Sequence, residues 1–158
     1  MPESLADKII GKSKQAVNLY HRLILVVASA GAGKTNALQD VRQRTGAPLI
    51  NVNLELSRRM LDSTERQRSL QLPHLLREIV NEAEGDIVLL DNIEILFHVD
   101  LKQDPLRLLQ GLSRNKTVVA AWNSTIVEYS LTYAAPAHPE YRRYPMRDFL
   151  LVSPDVTT

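Results

Sequence analysis

The chain has 158 residues, of which 44% are hydrophobic and 23% charged, and its formal net charge is +1. This length suits one domain with one core, so we predict a single domain over residues 1–158. The small net charge excludes nucleic-acid attraction by the whole domain, the absence of Cys excludes disulfides and thiolate metal sites, and no apolar run is long enough to cross a membrane. The N-terminal MPESLADK is charged, unlike a secretory signal, and we expect a cytoplasmic protein.

The hydrophobic pattern alternates between strands and helices, which is typical of an α/β sheet built from crossovers. In chain order we predict a buried strand at Leu23–Ala28, a helix at Thr35–Arg44 and a second strand at Leu49–Glu55. A helix capped by Ser57 follows over Ser57–Ser69, then a stronger helix over Leu72–Ala83 and a third strand at Ile87–Leu90. A short helix after Asp104-Pro105, a strand at Val118–Trp122, a strand or hairpin with an irregular loop over Asn123–Arg147 and a last strand at Phe149–Val152 complete the prediction.

The most specific motif follows the first strand, where Ala28–Thr35 reads ASAGAGKT. This is the phosphate-loop pattern with Ala in place of the first Gly. In such a loop, backbone N–H groups point at the phosphates, the Lys bridges the outer phosphates and the Thr hydroxyl binds Mg²⁺. We therefore predict a Mg-ATP site formed by the segment Ser29, Ala30, Gly31, Ala32, Gly33, Lys34, Thr35 and Asn36, with Thr35 as a metal ligand.

A second element is expected to hold the metal. Ile87–Leu90 is an apolar strand that ends in Asp91, the Walker-B arrangement, and this places a carboxylate beside Thr35. One strand separates the phosphate loop from Asp91. That spacing points to the P-loop NTPases whose strand order is 5-1-4-3-2, so we predict a three-layer α/β fold with a five-stranded parallel sheet in that order.

The layout resembles the AAA+ ATPase core. The resemblance implies an apolar box at Ile9 and Ile10 that packs on adenine, and a polar sensor of the γ-phosphate at Asn123. Core packing is the alternative for the two isoleucines, and a turn-forming role is the alternative for Asn123. Only six residues follow Val152, so the resemblance implies a core without the C-terminal helical lid, whose sites are completed by oligomerisation or by a partner.

The residues leave the catalytic base open. AAA+ proteins usually follow the Walker-B Asp with a Glu that polarises water, but this chain has Asn92, whose amide cannot take a proton. Glu94 and Glu55, at the end of the predicted second strand, are the candidate bases, and a site without a competent base is the third possibility. An arginine finger is expected between the fourth and fifth strands, where Arg142 and Arg143 lie.

Nearly the whole chain resembles the BrxF family, the small phosphate-loop proteins of type III BREX bacteriophage-exclusion systems. Its size, the AGAGKT loop, the LLDNIEILF segment and the YAAPAHPEYRRY stretch carry the resemblance, although only the loop is a specific motif. The resemblance implies a cytoplasmic anti-phage protein that acts beside other BREX proteins, as a homo-oligomer or docked on them.

Three functions fit these features: a weak Mg-ATP hydrolysing ATPase, a non-hydrolysing module whose assembly is gated by nucleotide, and a small kinase. The amide after the Walker-B Asp favours the second, and a kinase needs an acceptor pocket and a mobile arginine-bearing lid.

DNA is a further candidate partner. Basic and aromatic side chains that could follow a phosphate backbone and stack on bases, or serve a protein interface equally well, are Arg142, Arg143, Arg147, Tyr141 and Tyr144.

Overall fold

A five-stranded parallel sheet forms the centre of the fold in the computed structural model, which describes residues 4–28, 33–123, 126–127, 130–134, 139–140, 142–145 and 148–154. Its strands are β1 Leu23–Ala28, β2 Leu49–Asn51, β3 Ile87–Asp91, β4 Thr117–Asn123 and β8 Leu150–Val152. Their order across the sheet is β2-β3-β4-β1-β8. β8 is the fifth strand of this sheet in sequence order, so this is the predicted order 5-1-4-3-2 read from the other edge. The predicted fold class is confirmed.

Helices cover both faces of this sheet. In the described part of the chain they are α1 Leu5–Ala16, α2 Lys34–Thr45, α3 Val52–Arg59, α4 Glu65–Glu82 and α5 Pro105–Leu112, with 3₁₀ turns at Glu94–Phe97 and Val99–Leu101. Successive strand residues point to opposite faces. Ile24 and Val26 of β1 therefore join the core with α1 and α2, whereas Leu25 and Val27 join the core with α3, α4 and α5. None of the helices described here is long and apolar enough to span a membrane.

A second, three-stranded antiparallel sheet lies in sequence between β4 and β8 and consists of β5 Ile126–Val127, β6 Ser130–Tyr133 and β7 Arg142–Pro145. The indole of Trp122 on β4 donates a hydrogen bond to the Thr132 carbonyl at 2.8 Å. The ring of Tyr133 stacks on Phe97, with centroids 3.5 Å apart. These contacts attach the small sheet to the main one, in the region where we predicted a strand or hairpin with an irregular loop.

The connection between β2 and β3 differs from the sequence prediction. The strand predicted to run to Glu55 ends at Asn51, because the Asn51 side chain accepts a hydrogen bond from the Leu54 N–H at 3.0 Å and caps α3. Ser57 lies inside α3 and does not begin a helix, so that prediction is wrong. The next helix begins after Thr64, whose hydroxyl accepts a hydrogen bond from the backbone N–H of the third helical residue in a capping box.

Helix α4 runs without interruption through Pro73, although the sequence indicated two helices. A proline inside a helix has no N–H, so the carbonyl of Ser69, four residues earlier, loses its usual partner. The Gln103 side-chain amide donates to that carbonyl at 2.7 Å. This long-range bond satisfies the carbonyl, and the helix continues where the sequence favours a break.

Candidate active site

A cleft of about 330 Å³ opens at the carboxyl ends of β1, β3 and β4. Parallel α/β sheets bind ligands at this edge, since the ends of neighbouring strands bring side chains from distant parts of the sequence together. The register aligns Ala28 at the end of β1 with Asn123 at the end of β4. The described residues that line the cleft were all predicted as site residues: Gly33, Lys34, Thr35, Asn36, Asp91, Asn92, Glu94 and Asn123.

Lys34 is the first residue of α2 and is held inside the cleft. Gly33 before it has φ +91°, a left-handed conformation that favours glycine. The Lys34 side chain is buried, and its Nζ donates to the Ala28 carbonyl at 2.8 Å. Burial lowers the pKa of Lys34 below its usual value, and the nearby charges of Asp91 and Glu94 oppose that shift in part. A cation thus lies beside the N-terminus of α2, where anions are favoured.

Four predicted loop residues lie outside the described residues: Ser29, Ala30, Gly31 and Ala32. Their contacts with phosphate stay predictions. Asn36, the last residue of the predicted loop segment, lies in the first turn of α2, is exposed and lines the cleft.

The side chains of Thr35 and Asp91 are joined by a hydrogen bond in the cleft. The Thr35 hydroxyl donates to Asp91 Oδ2 at 2.7 Å, and the Asn92 N–H donates to Asp91 Oδ1 at 2.9 Å. A hydroxyl and a carboxylate are hard oxygen ligands of the type that Mg²⁺ prefers. Within the described ranges, no group of three His, Cys, Asp or Glu side chains forms a metal site. Two oxygen ligands, the Thr35 hydroxyl and the Asp91 carboxylate, fit an ion that takes its other ligands from phosphate and water, as Mg²⁺ does.

Glu94 and Asn123 form a second bonded pair in the cleft. The Asn123 amide donates to Glu94 Oε1 at 2.7 Å. Glu94 Oε2 is buried and has no hydrogen-bond partner among the described residues. An unpaired buried acceptor costs about 1–3 kcal/mol. Glu94 lines the cleft, so this unpaired oxygen belongs to a residue at the wall of the site.

The turn that carries Glu94 also contacts Asn53, a residue that sequence reasoning missed. Asn92 has φ +53°. Its carbonyl accepts a hydrogen bond from the Asn53 N–H at 2.9 Å, and the Ile95 N–H donates to Asn53 Oδ1 at 2.8 Å. No signal in the sequence marks Asn53, since it lies in an alternating stretch that reads as a strand.

The second candidate base and the two isoleucines of the predicted adenine box do not line the cleft. Glu55 is in the first turn of α3, where its carboxylate lies 3.7 Å from Arg58 and 3.9 Å from Arg59. Its placement at the end of a strand is wrong because β2 ends before it, and its carboxylate does not reach the cleft. Ile9 lies within α1 and is fully buried against the sheet, which is the core-packing alternative. Ile10 is half-buried against the same cluster, so a contact with adenine stays a prediction.

The two predicted finger residues lie on β7 and do not line the cleft of their own chain. The Arg142 guanidinium donates to the Gln103 carbonyl at 2.8 Å, which ties β7 to the connection before α5. Arg143 is exposed. A role of either arginine as a finger stays a prediction.

The predicted surface for stacking nucleic-acid bases is only partly described, because Tyr141 and Arg147 lie outside the described residues. Tyr144 is half-buried and its hydroxyl donates to Asp104 Oδ1 at 3.0 Å. Burial, and then the nearby charge of Asp104, raise the pKa of Tyr144. Its ring centroid lies 5.9 Å from that of Trp122. Tyr144 therefore packs against the core of the protein.

No protein-family model matches the sequence, and no curated protein matches it either. Among solved structures, the chain is similar to AMPPCP-bound DnaA from Aquifex aeolicus, with a TM-score of 0.44 and 15% sequence identity. The similarity covers 79% of this chain and 40% of the DnaA chain, so this chain spans less than half of that structure. In this chain, a Gly-Lys-Thr helix start follows β1, and the sheet has the order 5-1-4-3-2. The chain has the fold of a P-loop protein.

Proposed function

We propose that this protein is a Mg-ATP-binding P-loop ATPase with a minimal AAA+-like core. The observation that supports this most strongly is the convergence of Lys34, Thr35, Asp91 and Glu94 on one cleft at the carboxyl ends of the strands. These residues supply a cation for phosphate, two oxygen ligands for a metal and a carboxylate for proton transfer.

Binding of ATP uses groups that are bonded to each other in the free protein. The phosphates compete with the Ala28 carbonyl for the Lys34 ammonium group, which burial makes weakly solvated. The N-terminus of α2 adds backbone N–H groups and a favourable dipole. Thr35 and Asp91 would hold Mg²⁺, which when bound neutralises charge on the β- and γ-phosphates.

For hydrolysis we assign the general base to Glu94. Its Oε2 takes a proton from water while a bond forms between the water oxygen and the γ-phosphorus and the bond to the β–γ bridging oxygen breaks, which gives ADP and phosphate. The Asn123 amide fixes the carboxylate through Oε1. Asn92 orients the turn by its backbone and takes no proton.

Completion of the site is proposed to need a second subunit or a partner. The cleft is open to solvent, and no arginine lines it among the described residues. Arg143, which is exposed on β7, is the candidate for a finger in a neighbouring site. The sequence segments that resemble the BrxF family support a role in cytoplasmic phage defence beside other BREX proteins, with DNA as a further candidate partner.

A non-hydrolysing nucleotide-gated module is the second candidate. The bond between Asn123 and Glu94 favours it, because a γ-phosphate that took the Asn123 amide would release Glu94 without any chemistry. The kinase alternative has less support. It needs a mobile arginine-bearing lid, but Arg68 donates from Nε to the carbonyls of Met60 and Ser63, at 3.2 and 3.1 Å, between α3 and α4.

Glu94→Gln tests the assignment of the base, with Glu55→Gln as a matched control at an acid that lies outside the cleft. We expect Glu94→Gln to lower the rate of phosphate release by about 10²- to 10⁴-fold, the usual contribution of general base catalysis, with unchanged affinity for Mg-ATP. Glu55→Gln should leave both unchanged. Equal rates in the wild type and Glu94→Gln would contradict the assignment.

A further inference from the structure

The turn between β3 and the 3₁₀ turn Glu94–Phe97 is fastened to the start of α3 by a single residue. The backbone N–H of Asn53 donates to the Asn92 carbonyl at 2.9 Å, and the side-chain Oδ1 of Asn53 accepts from the Ile95 N–H at 2.8 Å. Glu94 lies between the two fastened residues. The path of the backbone at Glu94 is therefore set from both sides by Asn53.

This turn contains an uncommon backbone conformation. Asn92 adopts φ +53°, a left-handed conformation that is rare for residues with a side chain, although Asn adopts it more readily than most. Such conformations persist where the surrounding structure determines them. The side chain of Asn53 is available for this task because a different residue, Asn51, caps α3 by accepting from the Leu54 N–H.

We propose that Asn53 is a positioning residue that holds Glu94 at the cleft. The proposal rests on the proposed function, in which Glu94 is the base. The Oδ1 acceptor fixes the Ile95 N–H, and this fixes the Glu94 carboxylate at the distance from Asn123 at which their bond forms. Asn53 itself is not among the described residues that line the cleft.

The test compares Asn53→Leu, which removes the acceptor, with Asn53→Asp, which retains an oxygen at the same reach. For Asn53→Leu we expect kcat to fall by about 10- to 100-fold while the Kd for Mg-ATP stays within about 2-fold, because misplacement of a reacting group by about 1 Å costs up to that much. Asn53→Asp should recover most of the rate. Asn51→Ala is the matched control: it weakens the same helix start but leaves the turn in place, so kcat should stay at the wild-type value.

Hydrogen exchange of the Ile95 amide provides a readout that does not depend on hydrolysis. We expect Ile95 protection to fall in Asn53→Leu and to persist in Asn53→Asp and Asn51→Ala. Unchanged protection in Asn53→Leu, or lost protection with unchanged kcat, would overturn the proposal. A wild type that releases no phosphate at any concentration, alone or with the partner proteins added, would overturn the proposed function and the catalytic part of this inference. Hydrogen exchange of the Ile95 amide would still decide whether Asn53 holds the turn.

Discussion

Replacement of Thr35 by Val tests the bond that joins the proposed metal ligands in the free protein. Val has the shape of Thr and a similar helix propensity, so the change removes the hydroxyl with little other effect on α2. The hydroxyl donates to Asp91 Oδ2 at 2.7 Å. Asp91 is only 8% exposed, so water does not readily replace the lost donor. Thr35→Ser retains the hydroxyl and is the matched control.

The expected size of the effect follows from the burial of Asp91. A buried acceptor left without its donor costs about 1–3 kcal/mol, more often toward the upper end when the acceptor is charged. In a domain of this size each 1 kcal/mol shifts the Tm by about 2–4 °C. We therefore expect the Tm of Thr35→Val to lie roughly 4–8 °C below that of the wild type for a central loss of about 2 kcal/mol.

Thermal unfolding with and without Mg-ATP measures both roles of the hydroxyl. Ligand at 100 times its Kd stabilises a protein by about 2.7 kcal/mol, so the wild type and Thr35→Ser should show a clear rise in Tm with Mg-ATP. Thr35→Val should show a much smaller rise, because it lacks one proposed Mg²⁺ ligand. If Thr35→Val and Thr35→Ser unfold at the same temperature without ligand, the reasoning about Asp91 is refuted.

Three further predictions concern separate parts of the molecule. Burial lowers the pKa of Lys34 below 10.5, so the affinity for Mg-ATP should fall as the pH rises through that lowered pKa, and binding there should be accompanied by proton uptake. Calorimetry in two buffers of different ionisation enthalpy measures the uptake, and binding without proton uptake would contradict this prediction. Trp122→Phe removes the donor to the Thr132 carbonyl and leaves a cavity, so urea unfolding should show a loss of about 1–3 kcal/mol, and an unchanged midpoint would count against the contact. Arg143→Met should lower turnover only where subunits associate, whereas Arg142→Met should lower stability; the reverse result would exchange their roles.

The central sheet was predictable because its three inner strands, β1, β3 and β4, are almost wholly buried. β1 is one run of aliphatic residues and all six are buried. A continuous aliphatic run of this length is typical of a parallel strand that is covered on both faces, so the strand could be predicted directly. The phosphate loop and Asp91 then located the carboxyl edge of the sheet. The spacing between them implied the strand order that the structure has.

The connections after β2 were not predictable, because tertiary bonds decide them. The stretch from Leu49 to Glu55 alternates like a strand, but the Asn51 side chain caps a helix there. Pro73 favours a break in α4, but the side chain of Gln103, which lies beyond β3 in the sequence, satisfies the carbonyl that the proline leaves without a donor. The same early start of α3 moves Glu55 out of the site and brings Asn53 to the turn before Glu94. One wrong boundary therefore gave one false candidate and hid one real contact.

The measurement that tests the account most directly is phosphate release from Mg-ATP over a wide range of protein concentration, with Lys34→Ala as the blank. We expect release that rises faster than linearly with concentration and is absent in Lys34→Ala, since the site is proposed to need a neighbouring subunit or a partner. Tight Mg-ATP binding with no release above the blank at any concentration, alone or with the partner proteins added, would contradict the ATPase and leave the nucleotide-gated module.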